Sequence, residues 1–152
     1  MIAGMEEGTM NAERPLVIYV DDSPIARELV ADALEDQGYR VLTAEHVSDL
    51  EKQLETDASL IQNVALFILD FDMPEMTGVQ IAAVLDQLHA GLREAPFLIY
   101  SAKDPELIED GIRQAEELSF TFVRNFRGFV PKRESSVEGL VDRVRELVPL
   151  PG

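Results

Sequence analysis

The stretch LVIYVDDSPIARELVADALEDQG, Leu16–Gly38, decides the fold. Its first five residues, Leu16–Val20, form a continuous apolar run, as expected of a strand buried on both faces. Ser23-Pro24 supplies a hydroxyl N-cap with proline at the first helical position. Ile25, Leu29, Ala33 and Leu34 then recur at helical spacing, and Gly38 can end the helix. Strand, acidic turn and helix together make the first unit of an alternating chain.

The same alternation continues outward. Arg40–Thr43 reads as a second strand, and Val47, Leu50 and Leu54 mark a second helix. Ala65–Leu69 is a third strand, followed by a helix carrying Val79, Ala82, Leu85 and Leu88. Phe97–Tyr100 is a fourth strand, and Asp104-Pro105 caps a helix with Leu107, Ile108, Ile112 and Ala115. Phe129–Val130 is a brief fifth strand. Ser135 and Glu138 resemble a capping box that opens a last helix with Leu140, Val144 and Leu147, stopped by Pro149 and Pro151. Five strand–helix repeats predict an α/β fold, a doubly wound five-stranded parallel sheet with helices on both faces. The expected organisation is a loose N-terminal leader over 1–14, one domain over 15–149 and a tail over 150–152, with no output domain visible.

Composition narrows the function. The chain has 152 residues and a net charge of −16, which disfavours nucleic acid and anionic membrane as partners. It has no cysteine and two histidines, His46 and His89, so thiolate and histidine-rich metal sites are excluded. No apolar run approaches the roughly 20 residues of a membrane span, and the first residues lack a signal-peptide pattern, so a cytoplasmic location is expected.

In an open parallel sheet, ligands bind beyond the carboxyl ends of the strands. Asp21 and Asp22 follow the first strand, Asp70 the third, Ser101 the fourth and Lys132 the fifth. Two carboxylates about 4 Å apart repel by roughly 4 kcal/mol at an effective dielectric near 20, a cost that a bound divalent cation removes. All-oxygen ligation suits Mg²⁺. A carboxylate can also attack phosphorus, while a cation and an ammonium group offset the charge of the transferring phosphoryl. Singly, each residue is more often a turn, a cap or a solvated side chain. Together, at consecutive strand ends, they describe a site.

The segments VIYVDDSP (Val17–Pro24), FILDFDMPEMTG (Phe67–Gly78), LIYSA (Leu98–Ala102) and GFVPK (Gly128–Lys132) resemble the receiver domain of bacterial two-component response regulators. The resemblance runs from about Leu16 to Leu147. It implies a (βα)5 flavodoxin-like, CheY-like fold with strand order 2-1-3-4-5. Asp70 would be the phosphoacceptor, served by a histidine kinase or a histidine phosphotransfer protein. Asp22, Asp70 and the backbone carbonyl of Asp72 would hold Mg²⁺ directly, with Asp21 acting through water. Ser101 and Lys132 would contact the phosphoryl oxygens. Ser101 and Phe129 would form a switch pair altering the face of the fourth helix, fifth strand and fifth helix. There a downstream protein effector, or a second copy of the chain in a homodimer, would read the state. Such a domain catalyses only its own phosphorylation and dephosphorylation and is otherwise not an enzyme.

The chain departs from the family's pattern in three places. Arg133, not proline, follows Lys132; Phe129 has no hydroxyl; and the interval from Ser101 to Lys132 is long. The extra length lies around Ser119–Arg127, an aromatic, basic stretch in an acidic chain. Leu118, Phe122 and Phe126 are four apart, which suggests that the fourth helix extends through them. Phe122, Arg124, Phe126 and Arg127 either complete the core or form a partner face, since aromatics with arginine are common interface anchors. Two other readings compete for the whole chain. One is a haloacid-dehalogenase-like phosphatase with Asp70 as nucleophile and Asp72 as acid/base. The other is a receiver-like binding module that is not phosphorylated.

Overall fold

A computed structural model describes residues 14–57, 64–70, 95–102, 105–117, 125–132 and 136–150. The described residues include five strands: β1 Leu16–Val20, β2 Arg40–Ala44, β3 Val64–Leu69, β4 Phe97–Ser101 and β5 Phe126–Pro131. They form one sheet in the order β2-β1-β3-β4-β5, and every pairing is parallel. The described helices are Pro24–Gln37, Val47–Thr56, Pro105–Glu117 and Ser136–Leu147. The leader before Arg14, the expected helix at Val79–Leu88, and the caps Asp104 and Ser135 lie outside the described residues.

The apolar runs become strands because both of their faces are covered. Val17, Tyr19, Leu66, Ile68, Leu98, Tyr100 and Val130 pack in one cluster with Val30 and Leu34 of the first helix and Leu140 and Val144 of the last. The alternate residues Leu16, Ile18, Val20, Phe67, Leu69, Phe97 and Ile99 turn to the other face by the period of two and are equally buried. Among the residues whose side chains are described, Leu50, Ile108 and Ile112 are buried apolar residues of the remaining two helices.

The expected boundaries of the first helix hold. Ser23 Oγ accepts the Ala26 N–H at 3.2 Å, and Pro24 opens the helix. Gly38 closes it in the left-handed region, at φ 111°. Tyr39 then turns inward, and its hydroxyl donates to the Val148 carbonyl at 2.6 Å, tying the first helix to the end of the last.

The fifth strand differs from expectation. It spans six residues rather than two, and Phe126 is its first residue, paired with Phe97. Phe126 therefore does not continue the fourth helix. Phe97 pairs with Phe126 and Ile99 with Phe129, so two steps along β4 match three along β5. The extra residue makes a β-bulge, with Gly128 at φ 117°. Arg143 of the last helix donates to the bulge carbonyl of Arg127 at 2.6 Å. No helix among the described residues is long and apolar enough to cross a membrane.

Candidate functional site

The backbone of each strand end extends its ladder by one bond. Asp21 N–H donates to Ala44 at 3.1 Å, Asp70 N–H to Val20 at 3.0 Å, and Lys132 N–H to Ser101 at 2.8 Å. The sheet thus carries Asp21, Asp70, Ser101 and Lys132 to one rim. Carboxylate oxygens of Asp21, Asp22 and Asp70 lie within 4.8 Å of one another. Asp21, Asp70 and Ser101 are buried, and Asp22 is half-buried.

Lys132 closes the group. Its ammonium donates to Asp21 Oδ2 and stands 3.6 Å from Asp70 Oδ2. It also lies 5.5 Å from the centre of the Tyr100 ring, a favourable cation–π position. Among the described residues one ammonium faces three carboxylates, which leaves this group with excess negative charge. Hard oxygen donors gathered this closely suit a divalent cation such as Mg²⁺. Asp22 and Asp70 offer carboxylates to it; Asp72 lies outside the described residues.

Asp21 is a hub. Its Oδ1 accepts the Ser23 N–H at 2.9 Å, and its Oδ2 accepts both Lys132 and the Tyr19 hydroxyl. Its carbonyl accepts Arg27 Nη1 at 2.6 Å. Burial pushes the Tyr19 phenol well above its ordinary range, and the negative charge and hydrogen bond of Asp21 add to the rise. The Tyr19 phenol therefore stays a proton donor.

Ser101 ends β4, and Phe129, half-buried, lies opposite Ile99 on β5. Ile99 and Ser101 are two apart, so the hydroxyl and the Phe129 ring share one face of the sheet. Of the candidate partner face, Phe122 and Arg124 lie outside the described residues. Phe126 is half-buried, its ring centre 5.3 Å from that of fully buried Phe97, and Arg127 is exposed.

Sequence reasoning missed Tyr19, Arg27 and Tyr100. A signal existed for Tyr19: it stands two residues before Asp21 in a strand, and the period of two puts both on one face. It was submerged in an apolar run.

A family model described as "Response regulator receiver domain" matches residues 17–119, a segment that includes Asp21, Asp22, Asp70 and Ser101. The rice two-component response regulator ORR3 is 33% identical over 141 residues, covering 92% of this chain and 98% of that protein. The chemotaxis response regulator CheY4 of Vibrio cholerae has a similar fold, with TM-score 0.64 and 20% identity over 86% of this chain and 98% of that one. So does the response regulator TrrA of Thermotoga maritima, solved with Mg²⁺ and BeF, with TM-score 0.60 and 23% identity over 88% and 98%. These relatives come from a plant and from bacteria, so the resemblance carries no kingdom with it and the expectation of a bacterial source is not supported.

Proposed function

The chain belongs to the response regulator receiver domain family of two-component signalling, and from that premise we propose that Asp70 is its phosphoacceptor. The reading rests on one observation: three carboxylates lie within 4.8 Å of one another, with the Lys132 ammonium at Asp21 and Asp70. Family membership also sets aside the phosphatase reading.

The donor is a phosphohistidine on a kinase or a phosphotransfer protein. An Asp70 oxygen attacks phosphorus, the P–N bond breaks, the imidazole leaves with a proton, and an acyl phosphate forms. A Mg²⁺ ion held by Asp22, Asp70 and the Asp72 carbonyl, with Asp21 behind it, would offset the charge of the carboxylates and the phosphoryl group. Lys132 supplies a further positive charge to a phosphoryl oxygen, and Ser101 a hydroxyl donor. Burial of Asp70 keeps bulk water from competing for the same atoms. Ser101 moving toward the phosphoryl group frees space on its face of the sheet, and the Phe129 ring follows. This shifts the population of a surface around β5 that a downstream protein, or a second copy of the chain, reads in the cytoplasm.

The test is incubation with acetyl phosphate, with and without Mg²⁺, followed by mass analysis. Wild type should gain one phosphoryl group only with Mg²⁺, and Asp70→Asn should gain none. An unmodified wild type that also fails to bind beryllofluoride would support the alternative of a binding module that is not phosphorylated.

A further inference from the structure

Two donors of different charge meet on one oxygen of the site. Tyr19 is fully buried, and its hydroxyl donates to Asp21 Oδ2. The Lys132 ammonium donates to the same oxygen. The other oxygen, Oδ1, is taken by the Ser23 N–H at 2.9 Å. Tyr19 has no alternative as a packing residue alone, because a buried hydroxyl needs a partner and this one has chosen a site carboxylate.

We propose that Tyr19 is a positioning residue that governs how readily Lys132 leaves Asp21 for the phosphoryl group. This rests on the phosphoacceptor reading of Asp70. Lys132 stands against Asp21 and 3.6 Å from Asp70 Oδ2, so reaching a phosphoryl oxygen on Asp70 means giving up part of its hold on Asp21. A buried carboxylate oxygen stripped of its only donor is costly. With the phenol in place, Oδ2 keeps a donor when the ammonium moves. The phenol also spreads the negative charge of Asp21, which weakens its pull on any cation nearby. Tyr19 thereby lowers the affinity of the resting site for cations and eases the motion of Lys132.

The two consequences have opposite signs, and that separates this role from packing. Tyr19→Phe keeps the ring and removes only the hydroxyl. Asp21 then draws Mg²⁺ more strongly, and Lys132 is held more tightly. Mg²⁺ should bind Tyr19→Phe roughly three- to tenfold more tightly in calorimetric titration, while its phosphorylation by acetyl phosphate at saturating Mg²⁺ slows by a similar factor. A residue that merely supports the site would, when altered, loosen Mg²⁺ and slow phosphorylation together.

Lys132→Ala supplies the second arm. With the ammonium gone, Tyr19→Phe should change the rate no further, so the double variant matches Lys132→Ala alone. Mg²⁺ binding to Tyr19→Phe that is unchanged or weaker overturns the proposal, and so do additive rate losses in the double variant. A wild-type chain that binds no Mg²⁺ and takes no phosphoryl group overturns the phosphoacceptor reading itself, and the role of Tyr19 with it. A wild type that is phosphorylated beside an indistinguishable Tyr19→Phe sinks the Tyr19 role alone.

Discussion

Replacing Asp70 by asparagine should make the metal-free protein more stable, although it abolishes the proposed phosphorylation. Asp70 is 4% exposed, and the fold holds its charge close to two like charges. Carboxylate oxygens of Asp21 and Asp22 lie within 4.8 Å of it, and at an effective dielectric near 20 each repels it by about 3.5 kcal/mol. Lys132 at 3.6 Å attracts it by about 4.6 kcal/mol on the same scale. Repulsion wins by about 2 kcal/mol before screening, and Asp22, being half-buried, is screened enough to put the expected gain at about 1–2 kcal/mol. Asparagine keeps the shape and removes the charge. For a domain of this size, each kcal/mol moves the melting temperature by roughly 2–4 °C. The assay is thermal unfolding of both proteins in a chelating buffer and again with Mg²⁺. Asp70→Asn should melt higher without metal. Wild type should then gain more from Mg²⁺, because only the folded state offers the full acidic cluster. Added salt should narrow the metal-free gap little, since Asp70 is sheltered from mobile ions. A variant melting at or below wild type in the chelating buffer would refute the reasoning, since the attraction of Lys132 would then outweigh both repulsions.

Three further outcomes follow from other parts of the molecule. Gly128→Ala should cost about 1–2 kcal/mol in denaturant unfolding, because φ 117° strains any side chain, whereas Gly139→Ala, with nothing within 4 Å, should stabilise its helix by up to about 1 kcal/mol. Phe126→Ala should lose roughly 2–3 kcal/mol of stability through its contact with Phe97, and Arg127→Ala less than about 0.5 kcal/mol; equal small losses would return Phe126 to the candidate partner surface. Burial raises the phenols of both Tyr19 and Tyr39 above 10.0, so the folded chain keeps protons that the unfolded chain releases. Stability should hold below that pH and fall above it, by up to about 1.4 kcal/mol per pH unit for Tyr19, with Tyr39 adding in the same direction. Alkaline unfolding of Tyr19→Phe should show a shallower slope, and an identical slope would contradict the assignment.

Most of the architecture was written locally. Val17 to Val20 and Leu66 to Leu69 are apolar without interruption because both faces of an inner strand are covered, and Ser23, Pro24 and Gly38 punctuate the first helix by their own chemistry. The acidic rim was legible for the same reason: each residue stands at the end of an unmistakable strand. β5 was harder. A bulge brings Phe126 and Phe129 to one face although they are three residues apart, so the alternation that marks a strand is erased there. The spacing of Leu118, Phe122 and Phe126 then imitates a helix. Tyr19 was hidden differently. Its ring satisfies the apolar pattern, and only the folded chain shows that its hydroxyl reaches Asp21.

The Arg143 guanidinium on the Arg127 carbonyl bears on how two copies of the chain could associate. Among the described residues β5 is an edge strand, and an open edge invites another strand to extend the sheet. Here the edge is kinked at Gly128, and one of its acceptors is already engaged by the last helix. A second chain cannot continue the ladder past this point without displacing Arg143. Any dimer built on this side must therefore meet through side chains of β5 and its flanking helices. Under the proposed switch such a contact would be remodelled as the Phe129 ring moves, whereas a continuous ladder of backbone bonds would lock the two copies together whether or not Asp70 carried a phosphoryl group.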